Sequence, residues 1–215
     1  MQIVYDTKVN SVNFILNYID HQRSKNPDFK VVDVGGSDMG WSKNHIDFLV
    51  DFKAENSDKS MSIDLCHYRD IQKLVEYAAE NGQFDLLICS HTLEDLYNPF
   101  DLLDIIPQIC KSAFISTPSA NSELSHPEHM EWLGYIHHKW IFDVFENNIL
   151  IVPKIPLLNR LVEPYNFKFN HSLEQINYFW STGPFQYKIF MDNYLGPNPQ
   201  TVINEYTNFL NRVQK

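Results

Sequence analysis

Three acids end successive apolar runs in the first third of the chain: Asp33 in VVDVGG, Asp51 in FLVDF and Asp64 in SIDLC. A carboxylate at a strand end can accept hydrogen bonds from a pair of hydroxyls or from an amino group, and Gly35 and Gly36 let backbone amides approach a polar ligand closely. A fourth apolar run, in FDLLICSHTLEDL, turns polar at Ser90 and is followed by His91. A neutral imidazole there could take a proton from a hydroxyl; alternatively His91 bonds the backbone or Glu94 and only shapes the loop. The densest polar cluster comes later, with Glu123, His126, Glu128, His129, Glu131, His137 and His138 within sixteen residues. Imidazoles and carboxylates suit a divalent metal, but no H-E-x-x-H pair occurs. His137 and His138 would also point to opposite faces of an extended segment, so that only one would face a site. The expectation is therefore a wall against a small substrate, built from Glu123, Tyr135, His137 and His138, with a divalent metal possible but not expected. Trp132, Tyr135 and Trp140 are costly to leave in water and imply that this segment packs over something.

Elements of alternating type must position these groups. Val9, Val12, Phe14, Ile15, Tyr18 and Ile19 recur near helical spacing and predict a helix over 7–23, ending before Asn26-Pro27. FKVVDVG is apolar on both sides and reads as a buried strand, IDFLVDF as a second and MSIDLCHY as the approach to a third. RDIQKLVEYAAENG predicts a helix closed at Asn81-Gly82. FDLLICS and SAFISTPS predict two more strands, and between them PFDLLDIIPQICK predicts a helix that Pro107 should kink or divide. Strands alternating with helices argue for a parallel sheet with crossovers. Beyond Ser119 the pattern changes. KWIFDVFENNILIVPK predicts a hairpin turning at Asn147-Asn148, and INYFWSTGPFQYKIF a second one cornered at Thr182-Gly183-Pro184, with Tyr178, Phe179, Trp180, Phe185, Tyr187 and Phe190 on its buried face. A helix is expected over 201–213.

In an open parallel sheet the ligand lies at the carboxyl ends of the strands, near the point where strand order reverses. An acid ending the second strand can bind both ribose hydroxyls, and one ending the third can reach an adenine amino group. With these residues in this order, 29–119 resembles the class I S-adenosylmethionine-dependent methyltransferases. VVDVGG is similar to their first motif, Asp51 to their ribose acid, IDL to their adenine-side segment, and FDLLICSHTLEDL to their fourth motif, commonly a variant of FDvVvcshvLEHl. More narrowly, CSHTLEDLYNP followed by AFISTPS and GYIHHKW resembles a methyltransferase type 11-like bacterial and phage subgroup often found with sugar-modification genes.

The resemblance implies an α/β protein of Rossmann-like methyltransferase fold, its mainly parallel central sheet flanked by helices, with antiparallel hairpin additions in the C-terminal half. Residues 1–215 would form one domain, 1–119 as the cofactor-binding core and 120–215 as substrate-side loop, hairpins and helix. It implies S-adenosylmethionine held by Asp33, Gly35, Gly36, Ser37, Asp38, Asp51, Asp64, Leu65 and Ser90. The acceptor would be a small hydroxylated substrate, a sugar or nucleotide sugar, contacted by Glu123, Tyr135 and His138, with His91, His137 or His138 as proton acceptor. One departure from the family pattern matters. G-x-G-x-G would place glycines at Ser37 and Met39, and only five residues separate Gly40 from Ile46, too few for the usual first crossover helix. That helix would have aimed its N-terminal amides at the ligand, so the loop's own amides, Ser37 and Asp38 must hold the methionine end. If the altered loop has abolished cofactor binding, the His/Glu cluster could instead serve metal-assisted hydrolysis or transfer, or the fold could be a non-catalytic binding module. A dehydrogenase reading is weaker, because a pyrophosphate needs the missing helix.

Composition narrows the partners. With 27 acidic and 17 basic side chains, the chain carries ten net negative charges and no basic cluster, which argues against nucleic acid and anionic membrane. No apolar run is long enough for a bilayer and no basic-then-apolar leader opens the chain. Cys66, Cys89 and Cys110 are odd in number and widely spaced, as in a reducing, cytoplasm-like compartment. A small-molecule substrate is the partner expected.

Overall fold

A strand that the sequence pattern does not announce, β1 (Gln2–Asp6), opens the chain and leads into α1 (Lys8–Lys25). The computed structural model describes residues 2–125, 132–162, 167–191 and 198–214. Thr7 caps α1 by accepting a hydrogen bond from the Asn10 amide at 3.2 Å, and Arg23 and Lys25 favour its carboxyl end. Ser11, Ile15 and Ile19, four residues apart, form its buried stripe.

Then come β2 (Val31–Val34), β3 (Phe48–Asp51), β4 (Ser60–Ser62), α2 (Tyr68–Asn81), β5 (Leu86–Ser90), α3 (Phe100–Ile109) and β6 (Ala113–Pro118). After α4 (Ala120–Ser125) the chain forms β7 (Trp140–Phe145), β8 (Asn148–Pro153), α5 (Leu157–Val162), β9 (Gln175–Trp180), β10 (Tyr187–Ile189) and α6 (Pro199–Val213). The main sheet has the order β1-β9-β6-β5-β2-β3-β4, parallel from β6 to β4, with β9 antiparallel to both neighbours. From β2 the chain winds outward through β3 and β4, then returns to β5 on the other side, so strand order reverses between β2 and β5. This is the expected doubly wound α/β architecture, with helices on both faces.

Why each face is covered can be read from single strands. Val31, Leu86, Ile88 and Phe114 pack on Ile15 and Ile19 of α1, whereas Val32, Leu87, Cys89 and Ile115 point to the α2 and α3 side. From α2, Ile71, Leu74 and Ala78 enter that core, and Gly82 closes the helix with φ +85°. Each buried aliphatic side chain of this kind contributes about 1.5–3 kcal/mol. Of the two outcomes expected at Pro107, a kink or a division, the division does not occur in α3. The proline falls in the last turn, the helix ends at Ile109, and the Gln83 side chain donates to the carbonyls of Pro107 at 2.9 Å and Gln108 at 3.2 Å.

A second sheet, β10-β8-β7, lies between two apolar layers. Phe142, Ile149 and Ile151 face the main core; Ile141, Leu150 and Val152 face α5 and α6. The first expected hairpin is present as β7–β8, but its turn residues are Glu146 and Asn147, with φ +50° and +63°, one position earlier than Asn147-Asn148. Both left-handed residues match a tight two-residue turn. The second expected hairpin does not exist. β9 sits inside the main sheet between β6 and β1, and β10 runs parallel to β8. The physical reason is that β9 is apolar on both faces: Ile176, Tyr178 and Trp180 enter the main core while Phe179 packs on Tyr18, ring centroids 5.0 Å apart. Phe190 meets Tyr206 and Phe209 of α6 instead of β9. Buried Asp143 joins three elements, accepting from Tyr5 at 2.8 Å and pairing with Arg212 at 2.9 Å. Among the described residues no helix is long and apolar enough to cross a membrane, and all three cysteines are unpaired.

Candidate functional site

Two concavities open at the carboxyl edge of the parallel strands, on either side of the strand-order reversal. The first, of about 620 Å³, lies over β2 and β3 and is lined by Gly35, Gly36, Ser37, Asp38 and Asp51, with Leu49, Phe52 and Ala54 as apolar surface. No helix follows β2. Residues 37–45 instead turn repeatedly, with Gly40 N donating to Ser37 O at 2.8 Å and His45 N to Ser42 O at 2.7 Å. Gly35 has φ +80°, and a Cβ there would stand 2.2 Å from the Thr92 side chain. Its amide donates to Val50 O at 2.7 Å, so the loop is pinned to β3. Gly35→Ala is expected to cost about 1–3 kcal/mol through backbone strain and the Thr92 clash, a loss visible as a lower urea midpoint.

Asp33 lies beneath this loop, buried, where it accepts from the Ser42 hydroxyl; a Cβ on Gly36 would strike its carboxylate. Burial pushes the Asp33 carboxyl up to about 6, the Ser42 bond opposing and nearby Asp51 adding to the rise. Asp33 thus supports the cradle from below. Asp51 is at the cleft itself, its Oδ1 also accepting from Lys53 N at 2.8 Å. Asp64 and Leu65 do not line this cleft: Asp64 is exposed and caps the turn into α2 through Cys66 N at 2.9 Å, and Leu65 is in the core. Ser90 ends β5, paired in register with Ser116.

The second concavity, of about 300 Å³, lies over β5 and β6 and is walled by the segment after 131. It brings together His91, Tyr135, His137 and His138 with Glu94, expected only as a partner of His91, and adds Asp95, which the sequence had not singled out. His91 holds a left-handed φ of +53°, with Nδ1 3.4 Å from Glu94 Oε1. The carboxylate of Glu94 is 1% exposed as a residue, and neither oxygen has a hydrogen-bond partner among the described residues; the same holds for His91 Nε2. His137 and His138 do not point to opposite sides. The segment turns at this point, His138 N donating to Tyr135 O at 3.3 Å, and both Nε2 atoms converge on Asp95 Oδ1, at 3.7 Å and 3.9 Å. Burial, then Glu94, pushes the Asp95 carboxyl above its usual range, against His137, His138 and Lys139.

Glu123 is behind this wall instead of on it. It is buried, with Oε2 2.8 Å from His138 Nδ1 and Oε1 bound by Lys154 Nζ at 2.5 Å and by Tyr135 N at 3.1 Å. Burial alone would raise its carboxyl, but the His138 and Lys154 contacts outweigh it and hold the group below the usual range. Gly134, with φ +60°, leaves the space this carboxylate needs, since a Cβ there would lie 2.1 Å from Oε1. Trp140 donates to Leu96 O at 2.9 Å and packs on Phe100, so it belongs to the core. His126, Glu128, His129 and Glu131 lie outside the described residues. One signal for Asp95 was present in the sequence: it stands where the pattern FDvVvcshvLEHl carries His. Lys154, distant in sequence and inside an apolar strand context, carried none.

No protein-family model and no curated protein matches this chain. Among solved structures it is similar to the MycE methyltransferase from the mycinamycin biosynthetic pathway, in complex with Mg and SAH, at 12% identity and a TM-score of 0.35, over 91% of this chain and 52% of that one. It is also similar to the N-terminal domain of EvdMO1 with SAH bound, at 10% identity and a TM-score of 0.28, over 89% of this chain and 69% of that one. The chain spans about half the length of the MycE chain.

Proposed function

We propose that this chain is an S-adenosylmethionine-dependent methyltransferase acting on a small hydroxylated molecule such as a sugar or nucleotide sugar. The observation that carries the reading is the cleft at the ends of β2 and β3, where the Gly35-Gly36 backbone, cleared of side chains, faces the Asp51 carboxylate beside the reversal of strand order. These residues fit the cofactor. Asp51 would accept the ribose hydroxyls, Leu49, Phe52 and Ala54 offer apolar surface to a purine, and the amides and side chains of Gly36, Ser37 and Asp38 are left for the amino-acid end. Asp64 stands outside the lining of this cleft and Asp33 works from beneath, so the reading gives neither of them a direct contact.

When bound, the cofactor supplies an electrophilic methyl group; the chain's own task is to align an acceptor oxygen with it and exclude water. The contact of Gly35 with Thr92, whose Oγ1 donates to Gly35 O at 3.3 Å, joins the cradle to the loop bearing His91, Glu94 and Asp95. An acceptor seated in the second concavity would therefore approach from the β5 side, and its proton would leave among the histidines there.

Calorimetric titration with S-adenosylmethionine and S-adenosylhomocysteine tests the reading. Binding is expected in the micromolar range, weakened about tenfold or more by Asp51→Ala, the loss of a hydrogen bond to a charged group being about 1.5–3 kcal/mol. A folded protein that binds neither ligand would reject methyl transfer. Unchanged affinity in a folded Asp51→Ala variant would reject the ribose assignment.

A further inference from the structure

We propose that Asp95, His137 and His138 form a binding site for a divalent transition-metal ion, with Glu123 as its positioning residue. The three ligand atoms, Asp95 Oδ1, His137 Nε2 and His138 Nε2, all lie within 4.8 Å of one another, with Asp95 Oδ1 at 3.7 Å and 3.9 Å from the two nitrogens. Around an ion with bonds of about 2.0–2.2 Å, neighbouring ligand atoms stand about 3–3.5 Å apart; the two separations from Asp95 exceed this by a few tenths of an ångström, and the two imidazole nitrogens would close from at most 4.8 Å.

The orientation of His138 is a second, independent observation. A carboxylate accepts and cannot donate, so the 2.8 Å contact with Glu123 Oε2 puts a proton on Nδ1 of His138. In the neutral ring Nε2 then carries the lone pair, and Nε2 is the atom turned towards Asp95. A buried carboxylate that fixes the tautomer of a histidine in this way is the usual outer support of a metal-bound imidazole. Glu123 is itself fixed by Lys154 and the Tyr135 amide, and Gly134 leaves room for it.

A third observation concerns charge. Glu94 adjoins Asp95 and lines the same concavity, buried; neither of its oxygens accepts a hydrogen bond among the described residues, His91 Nδ1 standing 3.4 Å from Oε1, and Asp95 Oδ1 has no hydrogen-bond partner there either. Two neighbouring carboxylates left in this state are stabilised by a cation. Two imidazoles with one carboxylate favour a first-row transition ion over magnesium or calcium, and three protein ligands leave coordination positions open to the concavity. His137 and His138 thereby become ligands instead of bases, and the open positions suit oxygens of a hydroxylated acceptor. That last use rests on the methyl-transfer reading; the metal site does not.

The test uses the full chain, free of any affinity tag, after removal of metal with a chelator. Titration with Co²⁺ is followed by visible absorption, with Zn²⁺ as competitor. Wild type is expected to bind with the spectrum of mixed nitrogen and oxygen ligands. Asp95→Asn and His137→Ala, both partly exposed positions, should weaken binding a hundredfold or more, and Glu123→Gln by about 10–100-fold, as outer-shell changes do. Absence of a Co²⁺ spectrum in the wild type, or its persistence in folded Asp95→Asn and His137→Ala proteins, overturns the site. S-adenosylmethionine titrated in the presence of chelator reports separately on the first cleft, so failure of one proposal is distinguishable from failure of the other.

Discussion

Glu123→Ala is expected to lower the free energy of unfolding by about 3–5 kcal/mol, the loss typical when one partner of a buried ion pair is removed. The Glu123 side chain is 2% exposed and that of Lys154 4%, so water cannot take over the missing contacts. Without the carboxylate the Lys154 ammonium loses its 2.5 Å contact with Glu123 while keeping the Tyr135 carbonyl at 2.6 Å, and the His138 ring loses the partner that orients it. Glu123→Gln preserves the volume and one acceptor and should cost less. Urea unfolding followed by circular dichroism measures both. A loss below about 1 kcal/mol for the alanine variant would mean that Lys154 reaches solvent by another rotamer, in the range of exposed pairs. Because the Glu123 carboxyl lies below its usual range when folded, its contribution is present above the unfolded value and fades as pH falls through the folded one.

Asp33 should give the opposite slope, and this is the second large effect. Its carboxyl rises from the ordinary 3.8 to about 6 on folding, so between these values the folded chain holds a proton that the unfolded chain has released. Raising the pH through that window takes the proton from the folded state as well and leaves a buried anion. Stability contributed by this group is therefore present below pH 4 and is lost by pH 6, a change of about 3 kcal/mol at 1.36 kcal/mol per unit. Asp33→Asn keeps an acceptor for Ser42 but cannot ionise. Relative to wild type it should gain about that amount between pH 4 and pH 7, measured from urea midpoints at a series of pH values. Parallel curves for the two proteins would show that Asp33 is not shifted.

Much of the cradle was legible because local rules and the fold agree there. α2 shows its apolar stripe and its Asn81-Gly82 stop, β3 ends on Asp51 while β2 runs one residue past Asp33 to Val34, and the five-residue gap before Ile46 correctly excludes a crossover helix. The second concavity was less legible, because convergence there depends on long-range placement. An extended segment would have separated His137 from His138; a turn at Tyr135–His138, with Gly134 at positive φ, brings their Nε2 atoms to the same oxygen. Lys154, just past β8, reaches Glu123 of α4 because β8 pairs with β7, which packs against α4, and nothing in its sequence neighbours indicates this. The β9 segment misled for a different reason. Alternation and a Thr-Gly-Pro corner fit a hairpin, but pairing is decided by which edge offers apolar cover on both faces, and β6 and β1 provide it.

The position of β9 also sets the order in which the molecule can be assembled. Gln2 pairs with Phe179 and Ala113 with Trp180, so the first strand and the middle of the sheet both wait for residues near 180 to be synthesised. Until then β6, buried along its whole length in the finished protein, presents an open hydrogen-bonding edge. Sequence separations this long slow folding, because chain entropy is lost before the contacts are gained. A growing chain that already contains both concavities' strands from β2 to β6 is therefore still adhesive at one side, and the nascent protein depends on β9 to turn that side from a template for other chains into the interior of its own sheet.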